Sequence, residues 1–536
     1  MRRWNGWGDD QIDYPFPDSA ARFLADRIGQ GISRPDISIE AALAQVPTSR
    51  LKPHPLITDL PHERLLHARG QSLPDWVALR SGRIGIFPDG VAYPTSNAQV
   101  CSLILFARQT GSSLIPYGGG TSVVGHINPL PGEQPVITID LSRMNQLLSL
   151  DETDELATFG AGVCGPELER QLNQRGYTLG HFPQSFELST LGGWIATRSS
   201  GQQSYCYGRI EHLFAGGQVE TPIGPLNLPH FPASAAGPDM RQLLLGSEGR
   251  CGVITQATVR IRPIPQVDAF YGIFFHSWEE GLQAVRQIAQ SGVPISMARL
   301  SNALETETTL QLSGKVNLVS WAERGLSLLR YNTERSLLVM GITGDSRSTL
   351  QTYRQALSIL RQHGGLHTGT AIGKIWRKSR FLTPYLRNTL WAQGYAIDTL
   401  ETALPWSKLL LAEEAVLRSL HESLAAYQEK VLAFAHLSHI YRDGASLYVT
   451  TIFRRSIDPD ETLSRWQAMK TAASQTIQAY GGTISHQHGV GLDHAAYLPA
   501  EKGPLGMAVL RQVAKTLDPD GLLNPGKLFP EMADVE

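Results

Sequence analysis

A run of glycine and hydroxyl residues, Pro116-Tyr117-Gly118-Gly119-Gly120-Thr121-Ser122, is the stretch of this sequence best suited to hold a ligand. Consecutive glycines can adopt positive φ, let a ligand approach the backbone, and turn successive N–H groups toward one concavity. An anion such as a phosphate would be held well there. For this run taken alone, a glycine-rich hairpin turn without any ligand is the alternative.

Two further glycine-rich segments follow, at residues 183–201 and 246–255. Neither has the pattern G-x-G-x-x-G after a strand or G-x-x-x-x-G-K-[ST], so the nicotinamide-binding and P-loop interpretations both fail. Together the three segments resemble the FAD-binding domain of the vanillyl-alcohol-oxidase type (PCMH-type) of flavoproteins. In that superfamily such segments surround the pyrophosphate, adenine and isoalloxazine of the cofactor.

The resemblance implies which residues contact FAD, with Gly118 to Ser122 around the pyrophosphate. Some relatives link FAD covalently through a histidine just after the first glycine segment, but Thr121 stands at that position here. We therefore expect non-covalent FAD. The predicted cofactor-binding residues are Pro116, Gly118, Gly119, Gly120, Thr121, Ser122, Pro183, Ser185, Ser189, Thr190, Gly192, Gly193, Thr197, Ser200, Gly201, Glu248, Gly249, Gly252, Val253 and Ile254.

The composition sets the general class of protein. A chain of 536 residues with 42% apolar residues is expected to form two or three domains with substantial cores. A formal net charge of −2 gives no indication of nucleic-acid binding, and the four cysteines form no C-x-x-C pair, so neither a disulfide framework nor a zinc site is predicted. No run of about 18 apolar residues and no signal peptide is present, which leads us to expect a cytoplasmic, soluble protein.

The pattern of short apolar runs and amphipathic segments predicts an α+β protein. Helical spacing dominates residues 18–80, and prolines at 263 and 265 close a region of short strand-like runs. Beyond them, strand-like runs alternate with amphipathic helices over 346–363, 413–430 and 460–479, which indicates an antiparallel sheet carrying helices. We divide the chain into a mostly helical lead-in (1–81), a PCMH-type two-subdomain FAD-binding domain (82–265), a cap domain with an antiparallel sheet and flanking helices (266–470), and a carboxy-terminal segment whose histidine loop returns to the flavin (471–536).

Short motifs along the chain resemble those of alkyldihydroxyacetonephosphate synthases (alkylglycerone-phosphate synthases) within that superfamily. The runs Trp4-Asn5-Gly6-Trp7-Gly8 and Leu400-Glu401-Thr402-Ala403-Leu404-Pro405-Trp406 point to this branch, whereas the glycine segments specify only the superfamily. The other matching runs are Arg299-Leu300-Ser301-Asn302, Pro384-Tyr385-Leu386-Arg387, Gly444-Ala445-Ser446-Leu447-Tyr448, Ser485-His486-Gln487-His488-Gly489-Val490-Gly491 and Leu523-Asn524-Pro525-Gly526-Lys527.

The resemblance implies an activity of ether-lipid biosynthesis. Members of the family exchange the acyl group of acyl-dihydroxyacetone phosphate for a long-chain alcohol, forming an ether bond without net redox change. The protein would then supply a clamp for an anionic group, an acid or base near the reacting carbon, and an apolar channel. The family also implies a homodimer, and peripheral contact with a membrane is compatible with the absence of a predicted span.

Five residues match active-site positions of the family. Arg299 and Arg387 suit a phosphate or carboxylate, because a guanidinium donates two parallel hydrogen bonds. Tyr448 could bind the substrate or relay a proton, and His486 and His488 titrate near neutral pH and suit proton transfer beside a flavin. Each also has a structural interpretation: an arginine in an ion pair, a tyrosine packed in a strand, or a histidine that supports a glycine-rich turn.

Gln487 departs from the family pattern, since it stands where the family has the middle of three histidines. Glutamine donates and accepts hydrogen bonds but does not change its protonation state. If the middle histidine carries the proton, ether-bond chemistry does not follow for this chain. The alternative is an FAD-linked dehydrogenase or oxidase of a 2-hydroxy acid.

Those dehydrogenases carry a glutamate before the loop histidine and a paired-histidine run. Gln487 and Tyr448 stand in the places of one carboxylate and one imidazole, so no divalent metal site is predicted here. A third hypothesis is an FAD-bound assembly subunit without catalysis. Arg299, Arg387 and the histidine loop disfavour it.

Overall fold

The computed structural model of the protein describes residues 2–312, 326 and 331–529. Helices and strands alternate along the chain and form sheets of four, five and seven strands, with one additional strand pair. The predicted α+β class is therefore confirmed. The amino-terminal region contains helices Asp18–Ile28, Ile39–Leu43, Pro61–Leu66 and Leu73–Ser81, which account for fewer than half of its residues, so it is less helical than its periodicity predicted.

The first sheet carries the first glycine segment. Its strands lie in the order Ile57–Thr58, Gly90–Ala92, Val136–Asp140 and Ser113–Tyr117, and the last three run parallel. Helix Asn97–Thr110 begins after Ser96, whose Oγ accepts from the N–H of Gln99, and leads into strand Ser113–Tyr117. That strand ends directly before Gly118, which places the glycine segment at the carboxyl edge of the sheet.

The second sheet is antiparallel and lies next to the other two glycine segments. Its strands lie in the order Leu147–Asp151, Leu156–Gly160, Val253–Arg260, Phe214–Thr221 and Gly224–Leu228. Helix Leu191–Thr197 begins after Thr190, whose Oγ1 accepts from the N–H of Gly193. The remaining elements of this region are helices Gly165–Asn173, Ser204–Tyr207, Ile210–Leu213 and Arg241–Leu244 and the paired strands Tyr177–Thr178 and Arg262–Pro263.

The third sheet is fully antiparallel, as predicted for the cap region. Its seven strands lie in the order Leu366–His367, Val267–Phe275, Ser336–Gly344, Met297–Ser301, Val431–Ile440, Gly444–Arg454 and Tyr395–Pro405. Its helices are Trp278–Ser291, Ala303–Leu312, Ser346–Gln362, Ala371–Ser379, Leu386–Ala392, Trp406–Ala425 and Pro459–Ala479, together with the 3₁₀ turn Thr383–Tyr385. The helix predicted over 413–430 instead covers Trp406–Ala425. Pro405 is its N-cap, a position where the N–H that proline lacks is not needed for a helical hydrogen bond.

One face of this sheet packs on apolar helices. Leu409, Val416 and Leu420 of helix Trp406–Ala425 are fully buried in the largest apolar cluster, together with Leu447 and Val449 of the sheet. Because side chains alternate between the faces of a strand, the intervening residues of the same strands point the other way. That second face carries the polar side chains described below.

The carboxy-terminal segment returns to the first sheet. The histidine loop, residues 485–491, precedes the 3₁₀ turn Ala495–Tyr497 and helix Leu498–Leu517. Leu523 then pairs with Leu114 of the first sheet. The side chain of Asn524 donates to the backbone oxygens of His126 and Glu248 at 2.8 and 2.7 Å, so this end of the chain ties the glycine-bearing regions together.

Candidate active site

One large cavity, about 1300 Å³ in volume, lies where the glycine segments, the histidine loop and the seven-stranded sheet meet. Small-molecule sites usually have volumes of about 300–1,000 Å³, so this cavity has room for a cofactor together with a second ligand. Arg299, Arg387, Tyr448 and His488 all line it, whereas His486 does not. The structure thus brings most of the predicted catalytic side chains to one place.

The first glycine segment has the geometry of an anion site. The backbone N–H groups of residues 118–121 donate to no acceptor within the part of the chain that the structure describes. Gly120 has a φ of 67°, which favours glycine. A Cβ on Gly119 would lie 1.9 Å from the backbone oxygen of Leu188, so the first glycine segment packs directly against the backbone of the second. Unpaired N–H groups on a cavity wall fit a pyrophosphate, and these residues would hold that part of FAD.

The other residues predicted to contact FAD also line the cavity, with the exceptions of Gly201 and Val253. Gly201 instead allows close backbone packing, since a Cβ there would lie 2.6 Å from the nitrogen of Phe182. Val253 starts strand Val253–Arg260 and packs in the core of the first sheet, while its neighbours Gly252 and Ile254 face the cavity. For Gly201 and Val253, direct contact with FAD is therefore not supported.

Arg299 is fixed by a buried carboxylate. Its Nη2 donates to Glu305 Oε1 at 2.6 Å and its Nη1 donates to Ser301 Oγ at 2.9 Å. The Nδ1 of His436 lies 3.0 Å from the same oxygen of Glu305. Burial alone would raise the pKa of Glu305, but Arg299 and His436 outweigh it and hold that pKa at about 2. The ionised carboxylate therefore orients the guanidinium at the cavity wall.

Tyr448 lies at the centre of the polar face of the sheet. It pairs with Glu401 on one neighbouring strand and with His436 on the other. Its ring stacks on His436 with centroids 4.9 Å apart and meets His488 edge-on at 5.7 Å. Burial raises the pKa of the phenol, so it stays protonated at neutral pH and can donate a hydrogen bond.

Arg387 reaches the cavity from helix Leu386–Ala392. Its guanidinium lies 4.3 Å from the ring centroid of Trp76, and its Nη1 donates to the backbone oxygen of Gln71. Its Nη2 is buried and has no hydrogen-bond partner among the described residues. Burial lowers the pKa of Arg387 to about 10, which leaves it charged at neutral pH. A buried, charged and unpaired donor fits an anionic ligand.

The amino-terminal motif at residues 4–8 supports this arginine. Asn388 accepts from the N–H of Trp7 at 3.1 Å and donates to the backbone oxygen of Trp7 at 3.0 Å. A Cβ on Gly8 would lie 2.4 Å from the ring of Tyr385, so only glycine allows this close approach. The motif at residues 4–8 therefore packs against and stabilises the helix that carries Arg387.

Glu401 anchors the histidine loop. This fully buried carboxylate lies on strand Tyr395–Pro405, and its Oε1 accepts from the N–H groups of Gln487 and His488 at 2.6 and 2.7 Å. The Nδ1 of His488 lies 3.4 Å from the same oxygen. The ring is thus oriented through Nδ1, and Nε2 is the nitrogen on its far side.

His486 is held away from the cavity. Its Nε2 lies 2.8 Å from Nη1 of Arg209 and is also hydrogen-bonded to the hydroxyl of Tyr441. Because a guanidinium can only donate, this nitrogen accepts. Burial, with His439 and Arg209 nearby, puts the pKa of His486 well below its usual range. These contacts contradict the expectation that His486 titrates near neutral pH, and we assign it a supporting role.

Sequence reasoning missed Glu305, His436, His439 and Glu401. Glu401 lies inside one of the matched runs, where an acidic residue within a strand pattern was the available signal. His436 and His439 are three residues apart and would face opposite sides of a regular strand. A register irregularity between Leu437 and His439 brings both imidazoles to the cavity.

Part of the cavity wall is apolar. Strands and helix Ala371–Ser379 of the cap region supply its wall, with two lysines, Lys374 and Lys378, lining the same region. Such a wall suits a hydrocarbon chain. Its apolar residues are Phe274, Met297, Leu337, Val339, Leu366, Ile372 and Trp376.

The families and relatives that match the chain agree with this geometry. Residues 88–226 match the FAD binding domain family, and residues 264–528 match the family of FAD linked oxidases, C-terminal domain. The alkyldihydroxyacetonephosphate synthase of Dictyostelium discoideum is 32% identical over 478 residues, which cover 88% of this chain and 78% of that protein. The chain belongs to the alkyldihydroxyacetonephosphate synthase family. The member of this family from Caenorhabditis elegans is 31% identical over 482 residues, covering 87% and 80% of the two chains.

A solved structure supports the same assignment for the whole chain. An alkyldihydroxyacetonephosphate synthase superposes with a TM-score of 0.84 at 27% identity, and the match covers 98% of both chains. The predicted fold, a PCMH-type FAD-binding domain with a cap built on an antiparallel sheet, is therefore confirmed. The predicted class of FAD-dependent enzyme is confirmed by the same comparisons.

Two further properties concern the described residues only. They contain no group of three or more histidine, cysteine, aspartate or glutamate side chains placed to hold a metal ion. None of their helices combines the length and the apolar composition needed to cross a membrane.

Proposed function

We propose that this protein exchanges the acyl group of acyl-dihydroxyacetone phosphate for a long-chain alcohol, with FAD bound non-covalently. One observation carries the proposal: a single cavity joins the glycine segments and a polar cluster to an apolar wall. The exchange needs these features together, because its substrates combine an anionic head with long hydrocarbon chains. The polar cluster consists of Arg299, Arg387, Tyr448 and His488.

The two arginines are proposed to bind the anionic head. Arg387 offers a buried Nη2 without a partner among the described residues, and Arg299 is held in a fixed direction by Glu305. Charge-assisted hydrogen bonds from a guanidinium orient a phosphate or carboxylate strongly. A preset pair of such donors would fix the reacting carbon relative to the flavin site.

The exchange breaks the bond between the substrate carbon and the acyl oxygen, so that a carboxylate leaves, and forms a bond from that carbon to the alcohol oxygen. When bound, FAD supplies the electronic activation of that carbon. The proton of the alcohol needs a base, and we assign this role to Nε2 of His488. Glu401, 3.4 Å from Nδ1, stabilises the imidazolium that results. Tyr448 stays protonated and donates to the departing carboxylate.

The surroundings of the site support further parts of the proposal. The apolar wall suits the hydrocarbon chains, and its lysines with the exposed Ile375 and Leu382 support peripheral contact with a membrane surface. Free thiols at all four cysteines support a cytoplasmic location. A homodimer is proposed from the family resemblance alone.

An anaerobic exchange assay tests the proposal. Enzyme loaded with FAD is given acyl-dihydroxyacetone phosphate and a long-chain alcohol without any electron acceptor, and ether formation and released carboxylate are quantified. We expect equal amounts of both products and a loss of about 10²–10⁴-fold in His488→Ala. His421→Ala, on the exposed side of helix Trp406–Ala425, is the matched control and should be unaffected. No ether, with reduction of an acceptor by a 2-hydroxy acid, would favour the dehydrogenase alternative.

A further inference from the structure

His439 and Gln487 form a hydrogen-bonded pair in the wall of the cavity. Both side chains line the cavity, and Nε2 of His439 lies 3.1 Å from Oε1 of Gln487. An amide oxygen can only accept a hydrogen bond, so Nε2 of His439 carries the proton. The pair thus has one defined direction, from the imidazole to the amide oxygen.

The imidazole of His439 is fixed and neutral. Its Nδ1 lies 3.4 Å from Oγ of Ser200, and its ring stacks on His486 with centroids 5.0 Å apart. Its backbone N–H donates to Oγ of Ser446 at 3.0 Å. Burial, together with the charge of Arg209, lowers the pKa of His439 to about 3, so the ring does not carry a second proton at neutral pH.

Gln487 is fixed at two points as a result. Its backbone N–H donates to Glu401 at 2.6 Å, and its side-chain oxygen accepts from His439. Among the described residues, the hydrogen bonds of Gln487 involve its backbone N–H and its Oε1 and none involves its amide nitrogen, while the side chain lines the cavity. The amide –NH₂ group is therefore the part of Gln487 available to a ligand.

We propose that Gln487 donates a hydrogen bond from its amide nitrogen to a substrate oxygen, and that His439 is the positioning residue that sets the direction of this amide. The proposal rests on the proposed function, because it requires a substrate with oxygen atoms near Gln487. It gives Gln487 a role that needs no change of protonation state: Gln487 orients the substrate, and His488 transfers the proton. A fixed donor is useful because it is ready before the substrate arrives.

Two variants of His439 separate positioning from simple packing. The amide nitrogen of a glutamine reaches the place of Nε2, whereas that of an asparagine reaches only the place of Nδ1. We expect His439→Gln to keep kcat/KM within about threefold of the wild type, and His439→Asn to lower it about tenfold, the upper end of the effect of losing a hydrogen bond between neutral groups. FAD content and the midpoint of thermal unfolding should match in both variants.

The double variant His439→Asn/Gln487→Leu tests whether His439 acts through Gln487. If it does, the double variant is no worse than Gln487→Leu alone, because the amide that His439 orients is already gone. Losses that multiply would show that His439 acts independently and would overturn the proposal. So would an asparagine variant as active as the wild type, or a glutamine variant as impaired as the asparagine variant.

A spectroscopic measurement keeps the proposal testable even if His439→Asn fails to fold. Long-range ¹H–¹⁵N spectra of histidine-labelled wild-type holoenzyme report the tautomer of each ring, and the signal of His439 is assigned by its absence in His439→Gln or His439→Leu. We expect the Nε2–H tautomer, and the Nδ1–H tautomer would contradict the pair. The variants are compared in whichever reaction the wild type catalyses, so failure of acyl exchange and failure of the His439–Gln487 pair remain distinguishable.

Discussion

Glu248 and Glu401 hold the histidine loop from its two ends. The carboxylate of Glu401 accepts from the N–H groups of residues 487 and 488, and that of Glu248 accepts from those of residues 490 and 491. Glu248 belongs to the third glycine segment and Glu401 to the seven-stranded sheet, so the loop is fixed to both sides of the cavity. A loop held by two buried carboxylates keeps its functional side chains in place without help from a ligand.

Replacing Glu401 by glutamine separates the charge of this residue from its support of the loop. An amide oxygen can still accept from both N–H groups, but the negative charge 3.4 Å from Nδ1 of His488 is lost. We expect E401Q to retain FAD and to lower kcat at least tenfold, because the imidazolium that forms on His488 during proton transfer loses its neighbouring charge.

Glu401→Ala is the matched variant for the support of the loop. It leaves two buried N–H donors without an acceptor, which costs about 1–3 kcal/mol for each such group, so it should unfold at a lower temperature than E401Q. An E401Q enzyme with the kcat of the wild type would show that the charge plays no part in catalysis.

The carboxylate of Glu305 makes stability depend on pH. Its pKa is about 2 in the folded protein against an ordinary value of 4.5, so its contribution is complete above pH 4.5 and is lost as the pH falls toward 2. E305Q should lower the free energy of unfolding by about 3 kcal/mol at pH 7, since each pKa unit corresponds to about 1.4 kcal/mol. The difference in the free energy of unfolding between wild type and E305Q, measured in urea titrations, should be about 1 kcal/mol smaller at pH 4 than at pH 7. A difference that is constant over this range would exclude the ion pair as its source.

Arg299→Lys keeps the charge but loses the two-pronged donor. A lysine cannot donate to both Ser301 and Glu305 and still offer a fixed direction to a ligand. We expect the affinity for an anionic substrate, followed through the flavin absorbance, to fall about tenfold or more with normal FAD content, as the loss of a charged hydrogen bond of roughly 1.5–3 kcal/mol implies. Arg286→Lys, on the exposed side of helix Trp278–Ser291, is the control. Unchanged binding in Arg299→Lys would make Arg299 a structural residue.

The linkage of FAD can be tested on the denatured protein. Thr121 stands where some relatives carry the linking histidine, and a threonine hydroxyl does not form that bond. We expect acid or heat to release intact FAD into the supernatant, with no flavin fluorescence left on the chain after denaturing electrophoresis. Flavin that stays with the chain would contradict non-covalent binding, and a protein that FAD cannot reconstitute would contradict the cofactor itself.

The sequence predicted the parts of the site that depend on local chemistry. The glycines at 118–120 let a ligand approach the backbone closely, and a few consecutive residues are enough to show this. The structure places the segment on the cavity wall. Glu401, His436 and His439 could not be assigned from sequence, because their roles depend on which strands pair and on one irregularity in strand Val431–Ile440. The two loop histidines illustrate the same limit. Their types are identical, but Arg209 binds one and Glu401 orients the other.

The central claim is that the bond between the substrate carbon and the acyl oxygen breaks at this site without net redox change. Acyl-dihydroxyacetone phosphate labelled with ¹⁸O in the bridging ester oxygen tests it directly by mass spectrometry of both products, under anaerobic conditions and without an electron acceptor. The account predicts that the label leaves in the released carboxylate and that the ether carries the oxygen of the alcohol. Label retained on the dihydroxyacetone phosphate product, or turnover that requires an electron acceptor, would contradict it.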